Sequence, residues 1–366
     1  MATGFVFHEL YMWHNTWNWA QVFAPGLTIQ PGEHAENPET KRRFRNLLEV
    51  SGLLDHLVAI RARPASEDEL GRAHTREHIA RIKAMSAENG GDASTLTPFG
   101  KGSFEIAQLA AGGTMAAFDA VIAGKVKNAY ALVRPPGHHA TADVGMGFCL
   151  FANVAVAIHH ARAAHRVGRI ATVDWDVHHG NGTQSLFYGD GTTLTISLHQ
   201  DNLFPANSGG LAETGEGAGK GYNLNIPLPP GSGDGAYIAA FERVVLPALS
   251  RFKPELIVVP SGFDASGVDP LGRMMVSSEG YRRMTALLMK AADALCGGRL
   301  VMSHEGGYSA MYVPYCGLAV LEEMTGIRTG VEDPWAAHMA KWGQQALQPH
   351  QDQAIAAAAK LVTAIT

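Results

Sequence analysis

Cysteine is scarce in this chain of 366 residues, which contains only three. Cys149, Cys296 and Cys316 are odd in number and widely spaced, so they match neither a disulfide framework nor a CxxC metal site. Free cysteine is among the most buried residue types, and we therefore expect three reduced thiols in the core.

Clustered basic charge and long apolar runs are also missing. The formal net charge is −5 and the longest basic cluster is the short run at 41–43, so we expect no nucleic-acid partner. The N-terminus lacks a basic segment followed by a long apolar core, and no uninterrupted apolar stretch reaches about 18 residues. We therefore expect a cytoplasmic protein without a membrane partner.

What the chain does contain is the composition of a globular protein. A hydrophobic fraction of 46% and a charged fraction of 17% allow a large buried core. The length alone suggests roughly two domains, but no break in composition, repeat or low-complexity linker divides the chain. We therefore predict a single domain over residues 1–366.

Short apolar runs alternate with helix-like segments along the chain. The predicted strands are 130–133, 169–173, 194–198, 256–259 and 300–302. The predicted helices are 104–123, 151–164, 236–252 and 278–296, and a helical extension over 331–366 includes a terminal helix at 352–365. Strands that are apolar on both faces predict an α/β fold with a mostly parallel central sheet and helices on both faces.

Each predicted strand runs directly into a polar loop. These loops contain PPGHH, DWDVHHGNG, HQD, PSGFD and SHEGGY. Because ligands of open α/β sheets bind outside the carboxyl ends of the strands, we expect the active site at that edge.

Residues 1–40 have a different character, with four aromatic residues crowded among polar ones: Tyr11, Trp13, Trp17 and Trp19. We interpret the segment as a long loop. It could cover the pocket, form a subunit contact in a homo-oligomer, or fold on its own aromatics at the surface.

The segment that follows strand 169–173 carries metal-ligand chemistry. Asp174, Asp176 and His178 are spaced by two, so in an extended chain they project from one face. Asp176 and His178, with Asp264 as the third ligand, would bind a divalent ion and leave a position free for water. Zinc suits this donor set, and iron, cobalt or manganese also fit it.

Such a site needs a base, and His138 and His139 supply two. Adjacent residues in a strand or loop point to opposite sides, so each histidine can have its own partner. Asp174 and Asn181 are the natural candidates. For His159, His160 and His165, in a helix-like segment without accompanying carboxylates, we expect surface positions.

Five motifs, in this order, resemble those of the histone deacetylase family, whose fold is arginase-like and whose activity depends on zinc. The resemblance covers residues 5–325. The motifs are PPGHH at 135–139, DWDVHHGNGTQ at 174–184, ISLH at 196–199, SGFDA at 261–265 and EGGY at 305–308.

The resemblance implies one zinc ion bound by Asp176, His178 and Asp264. It also implies that His138 pairs with Asp174, that His139 acts as general base and then general acid, and that Tyr308 stabilises the oxyanion. Asn181 stands where class I members of the family have an aspartate. Class II members resemble this chain at that position. A neutral partner stabilises imidazolium less, so His139 should have the lower proton affinity of the two histidines.

The resemblance further implies a narrow tunnel for an acyl-lysine stem and two structural potassium ions. The tunnel residues are Gly147, Phe148 and Phe204, with Leu271 near the mouth, and the acidic residue that holds the substrate backbone falls at Asp92. The first potassium site is formed by backbone oxygens of Asp174, Asp176, His178 and Leu198 and by the Ser197 hydroxyl. The second maps to Phe187, Asp190, Thr193 and Tyr222.

Three functions agree with these residues. The first is metal-dependent removal of acetyl or other acyl groups from N-acylated amines, either acetyl-lysine in proteins or small molecules such as acetylpolyamines. The second is a ureohydrolase of the arginase type, whose second metal needs carboxylates where this chain has Gly180 and Ser266; near two ions per chain would favour it. The third is a binding protein without turnover, against which Tyr308 argues.

Overall fold

The computed structural model describes residues 2–342 and 345–366. Its centre is a sheet of eight strands in the order β2-β1-β5-β10-β9-β6-β7-β8, in which every neighbouring pair is parallel. The strands are β1 Thr3–Val6, β2 Val58–Ile60, β5 Asn128–Ala131, β6 Ile170–Asp174, β7 Thr193–Gln200, β8 Asn223–Leu228, β9 Leu256–Ser261 and β10 Leu300–His304. A separate antiparallel pair consists of β3 Gly91–Asp92 and β4 Pro98–Phe99.

Helices cover both faces of the sheet. The α-helices are α1 Glu39–Val50, α2 Glu67–Leu70, α3 Arg76–Ala87, α4 Ser103–Ile122, α5 Asn153–His165, α6 Asn181–Phe187, α7 Asp234–Ala240, α8 Leu246–Phe252, α9 Ser278–Cys296, α10 Val313–Thr325, α11 Ala336–Met339 and α12 Pro349–Ala359. The 3₁₀ helices are Glu9–Trp13, Leu53–His56, Gly217–Gly219 and Lys360–Ala364, and a π-helical segment Phe241–Val245 joins α7 to α8.

Alternate residues of the strands pack into two separate hydrophobic cores, one on each face of the sheet. In β9, Ile257 and Val259 pack with helices α1, α9 and α10, whereas Leu256 and Val258 pack with α4 and α5 on the other face. This is the period of two expected of a strand buried on both faces. The prediction of an α/β fold with a parallel sheet and helices on both faces is confirmed.

The five strands predicted from the sequence are β5, β6, β7, β9 and β10, and they are neighbours in the middle of the sheet. Their carboxyl ends therefore bring the polar loops to one edge. The predicted helix at 278–296 coincides with α9, whereas the helix predicted at 236–252 is interrupted by the π-helical segment.

The prediction of one long loop over residues 1–40 is wrong at both ends. Residues Thr3–Val6 form β1 inside the sheet, where β2 and β5 supply its hydrogen bonds from both sides, and α1 begins at Glu39. A four-residue strand with a glycine gives almost no periodic signal in the sequence. The three cysteines are free and buried, as predicted. In the described part of the chain, no helix has the length and apolarity needed to cross a bilayer.

Candidate active site

The loop after β6 is fixed by hydrogen bonds between its own backbone and the surrounding carboxylates. The backbone N–H of Asp176 donates to Oδ1 of Asp174 at 3.0 Å, and that of His178 donates to Oδ1 of Asp176 at 2.9 Å. The N–H of Val177 donates to Oδ1 of Asp264, which follows β9, at 2.8 Å. The ends of two neighbouring strands are thereby held together.

These contacts bring Asp176, His178 and Asp264 into one buried cluster, with ligand atoms all within 4.8 Å of one another. Nδ1 of His178 lies 3.1 Å from a carboxylate oxygen of each aspartate. Gly262 and Gly306 lie directly against this cluster. A Cβ atom at Gly262 would overlap the Asp176 carboxylate, and one at Gly306 would overlap the carboxylates of both Asp176 and Asp264. The cradle and the donor set fit a divalent metal ion.

The electrostatics of the cluster also favour a bound cation. Burial and the neighbouring charge of Asp176 raise the pKa of Asp264 to about 6. Burial lowers the pKa of His178, but hydrogen bonds to Asp176 and Asp264 outweigh it and raise the value to about 10. The two buried carboxylates therefore favour a positive charge between them. A divalent ion would supply that charge and replace the proton on His178.

His138 and His139 lie beside this cluster, and each has its own partner. Nδ1 of His138 is 3.0 Å from Oδ2 of Asp174, and Nδ1 of His139 is 2.7 Å from the side-chain oxygen of Asn181. The expectation that the rings point to opposite sides is wrong, because their centroids are only 3.9 Å apart. The two residues lie in a turn and not in an extended strand, so the alternation of strand side chains does not apply.

The two histidines differ in proton affinity in the predicted order. Burial lowers the pKa of His138, but the carboxylates of Asp176 and Asp174 raise it well above its ordinary value. Burial and the imidazoles of His138 and His178 hold the pKa of His139 well below its ordinary value. Asn181 is thus a minor contributor, and burial beside another imidazole is the main reason that His139 stays neutral.

A narrow pocket of about 120 Å³ reaches this cluster from the surface. Its lining consists of Val22, Leu96, His139, Gly147, Phe148, His178, Leu203, Phe204, Leu271 and Tyr308. The four tunnel residues expected from the sequence all lie here, whereas Val22, Leu96 and Leu203 were missed. Asp92 does not line the pocket: it is exposed in the β3–β4 hairpin, and its carboxylate accepts from the N–H groups of Ser94 and Thr97.

Gly147 and Phe148 adopt left-handed backbone conformations, with φ of 52° and 71°. A Cβ atom on Gly147 would lie 2.5 Å from Cδ2 of His139 and 2.9 Å from the Phe204 ring. The strained conformation of Phe148 is held because its N–H reaches Leu96 and Thr97, both at 3.2 Å. Only glycine at position 147 allows this part of the pocket wall to lie so close to the His139 ring.

Part of the N-terminal aromatic segment lies against the pocket. Val22 lines the pocket wall. The Trp19 ring packs edge-on against His34 at 5.6 Å, and His34 packs against Phe148 at 5.0 Å. The fully buried Arg134 at the start of the PPGHH loop anchors this segment by donating to the carboxylate of Glu36 and to backbone oxygens of the loop.

Tyr308 completes the pocket opposite Phe148, with ring centroids 5.7 Å apart. Its backbone N–H donates to Oδ2 of the buried Asp269 at 2.7 Å, and the N–H of Leu271 donates to Oδ1 at 2.9 Å. Burial and the nearby carboxylates raise the pKa of Tyr308 well above its ordinary value, so its phenol remains protonated.

Two supporting residues escaped the sequence reasoning. Asp269 fixes the backbone of Tyr308, and Glu305 accepts from the backbone N–H groups of Gly137 at 2.6 Å and His138 at 3.0 Å. Burial raises the pKa of Glu305 to about 7. Glu305 lies within a quoted motif, and an acidic residue next to two glycines was the only available signal.

The two proposed potassium sites differ in their surroundings. Ser197 is the register partner of Asp174 in β7, and its hydroxyl lies 3.4 Å from the N–H of Gly180. In the second set, Asp190 and Thr193 both bind the guanidinium of Arg162 at 2.7 Å. A cation there would depend on main-chain oxygens of Phe187 and Tyr222, each of which already accepts a backbone hydrogen bond.

The expectation of surface positions for the helix histidines is wrong for His160, which is buried. A carboxylate does accompany it: Asp119 of α4 lies 2.8 Å from Nε2 of His160 and 2.6 Å from Nε2 of His165. The two helices are adjacent only in the fold, so no spacing of residues along the chain indicates this contact. His159 instead packs against Phe187, with centroids 5.4 Å apart.

Residues 34–324 match the model of the histone deacetylase domain. The chain is 53% identical over 335 residues to a histone deacetylase-like amidohydrolase of Pseudomonas aeruginosa, covering 91% of this chain and 88% of the relative. It is 36% identical to a probable deacetylase of Archaeoglobus fulgidus, with 89% and 87% covered.

The structural comparison points to the same family as these sequence matches. The crystal structure of the HDA15 HD domain superposes with a TM-score of 0.86 at 34% identity, covering 99% of this chain and 94% of that one. The chain is therefore an enzyme of the histone deacetylase family.

Proposed function

We propose that the chain is a zinc-dependent amidohydrolase that removes acetyl groups from N-acetylated amines. The observation that carries this proposal is the meeting of Asp176, His178 and Asp264 at the base of a narrow pocket that His139 and Tyr308 also line. An amide that enters this pocket would have a metal site, a neutral base and a protonated phenol within reach.

Asp176, His178 and Asp264 would hold the zinc ion. When bound, the ion would supply a Lewis acid for the amide carbonyl and lower the pKa of water toward neutrality. The buried carboxylates around it are oriented by N–H groups of Val177, His178 and Gly306. This arrangement keeps the ligands in place before the substrate arrives.

His139 is the residue we assign to proton transfer. It lines the pocket and its pKa is held low, so it is neutral and ready to accept a proton from the attacking water. The same imidazole would then give the proton to the leaving amine. Burial lowers the pKa of His138, but the carboxylates of Asp176 and Asp174 raise it above its ordinary value, so His138 holds a proton more readily than His139 does.

Tyr308 would donate a hydrogen bond to the substrate carbonyl oxygen as negative charge develops there. Its phenol faces the pocket, and its raised pKa keeps the proton on the oxygen. The hydrogen bonds from the Tyr308 and Leu271 backbones to Asp269 fix the loop before binding. Preorganised donors of this kind are usually a large part of acyl-transfer catalysis.

The walls favour an unbranched aliphatic stem, as in acetyl-lysine or an acetylpolyamine. Phe148, Phe204 and Leu271 provide apolar surface along the pocket, and charge on the stem would be costly there. Asp92 lies in the hairpin whose connection also contains the pocket residue Leu96, so we place it as a contact to the substrate beyond the pocket. The part of the substrate outside the pocket then decides between a peptide and a polyamine.

A ureohydrolase with two bridged metals finds less support at this site. A Cβ atom at Gly180 would overlap the Asp174 carboxylate, so a ligand side chain does not fit there. Ser266 is buried and offers no carboxylate. We therefore propose one ion in this cluster, with a potassium ion below it near Ser197.

We also propose that the enzyme is cytoplasmic. All three cysteines are free and buried, and reduced thiols are typical of reducing compartments.

The test is a substrate panel assayed with metal-stripped and zinc-restored enzyme. The panel contains an acetyl-lysine peptide, an acetylpolyamine, a longer acyl-lysine, an ester and arginine. We expect hydrolysis of at least one acetylated amine that is lost on chelation and recovered with zinc. Hydrolysis of arginine that requires manganese, or full turnover by the stripped enzyme, would contradict the proposal.

A further inference from the structure

Asp119, His160 and His165 form a second convergent cluster, on the helices α4 and α5. The Nε2 atoms of both imidazoles point at one oxygen, Oδ1 of Asp119, from 2.8 Å and 2.6 Å. The three ligand atoms all lie within 4.8 Å of one another. His160 is buried, while Asp119 and His165 reach solvent.

We propose that this cluster is a second, separate metal site that binds zinc or a similar late first-row ion. Two imidazoles and one carboxylate suit zinc, cobalt and nickel. Ligand bonds of about 2.0–2.1 Å place tetrahedral donors roughly 3.3 Å apart. The present separations of 2.8 Å and 2.6 Å are shorter than this, so the half-exposed Asp119 carboxylate would have to move outward to admit an ion.

A further carboxylate, that of Glu69, lies beside the site. Oε1 of Glu69 lies 3.6 Å from Nδ1 of His160, and both oxygens of Glu69 accept from Arg63 at 2.8 Å. At 3.6 Å Glu69 is beyond hydrogen-bond distance of His160, but its negative charge lies beside the ring and favours a cation at the cluster.

An ion can reach the site without passing the catalytic pocket. Asp119 lines an open groove of about 620 Å³ between α4 and the segment that follows β2. Three basic residues, Arg61, Arg63 and Lys125, also line this groove, and Arg63 is paired with Glu69. Bound metal would join α4 to the end of α5, so its expected effect is on stability and not on turnover.

The experiment counts ions in variants. The full-length chain is stripped with a chelator, equilibrated with zinc, desalted, and its zinc content per chain is measured together with Tm and turnover. We expect one ion fewer in Asp119→Ala and in His165→Ala than in the wild type, with turnover retained. His350→Ala removes an exposed histidine at the start of α12 and serves as the matched control, with unchanged zinc content.

The Tm measurement separates a metal site from a simple ion pair. Zinc should raise the Tm of the stripped wild type further than that of Asp119→Ala. Equal zinc content in the wild type, Asp119→Ala and His165→Ala would overturn the proposal, whatever the activity. A second ion that disappears only with Asp264→Ala would also overturn it and would instead indicate a two-metal catalytic centre.

Discussion

Nδ1 of His139 lies 2.7 Å from the carboxamide oxygen of Asn181, a partner that carries no charge. The adjacent His138 has a carboxylate, Asp174, in the equivalent position at 3.0 Å. Burial lowers the pKa of His138, but the carboxylates of Asp176 and Asp174 raise it above its ordinary value, whereas burial and the imidazoles of His138 and His178 lower the pKa of His139. Two neighbouring imidazoles of one turn therefore have opposite protonation preferences, and the neutral one lines the pocket.

Asn181→Asp should move the acid limb of the kcat/KM profile to higher pH. A carboxylate beside His139 stabilises its imidazolium and raises its pKa, by about 1–3 units for a close opposite charge. The unprotonated base is then present only at higher pH, so activity at acid pH falls. The pH dependence of kcat/KM for both proteins measures the shift.

Asn46→Asp is a suitable control for that profile, since Asn46 is exposed on α1 and the substitution adds the same charge away from the pocket. Its acid limb should match that of the wild type. If Asn181→Asp also leaves the limb unchanged, His139 is not the group whose protonation limits the rate.

Tyr308→Phe should reduce kcat by about 10²–10³, the usual effect of removing one oxyanion donor. The hydroxyl group is the only part removed, so the ring still packs against Phe148 and KM should change little. Steady-state kinetics give both constants, and an unchanged Tm confirms that the pocket is intact. Wild-type kcat in this variant would remove Tyr308 from the mechanism.

Gly147→Ala should abolish most turnover while the zinc content is retained. The added methyl group would lie 2.5 Å from the His139 ring, and the φ of 52° is unfavourable for alanine. Gly189→Ala is the matched control, because its Cβ would meet no atom within 4 Å and should leave turnover unchanged. Equal activity of the two variants would contradict the proposed wall.

Asp269→Ala should lower kcat about 10–100-fold, less than loss of the oxyanion donor itself, because Tyr308 remains but is held less firmly. It leaves the N–H groups of Tyr308 and Leu271 without their acceptor, so the phenol is no longer held in position. Asp269→Asn keeps one acceptor oxygen and should recover part of kcat. If both variants match the wild type while Tyr308→Phe does not, Asp269 has no positioning role.

Much of this architecture follows from local sequence patterns. The five strands of the central sheet are apolar over both faces, and the loops that follow them contain the histidines, aspartates and glycines of the site. The fold class and the three-residue cluster could therefore be predicted from a single chain, whereas the four pocket residues were implied by the resemblance to the histone deacetylase family.

The remaining features depend on contacts between distant segments. Val22 and Leu96 are ordinary apolar residues of irregular segments, and only the fold brings them to the pocket. Asp119 and His165 lie on different helices, so no spacing in the sequence relates them. Residues 3–6 form a strand because both neighbours pair with them, which local propensity does not record.

The most direct test of the central claim is the zinc content of the catalytic cluster measured in an Asp119→Ala background. There the account predicts one zinc ion per chain and zinc-dependent deacetylation, and addition of Asp264→Ala should remove both. Zinc retained in full, or deacetylation that survives, after the second substitution would contradict the assignment of Asp176, His178 and Asp264 as the metal site.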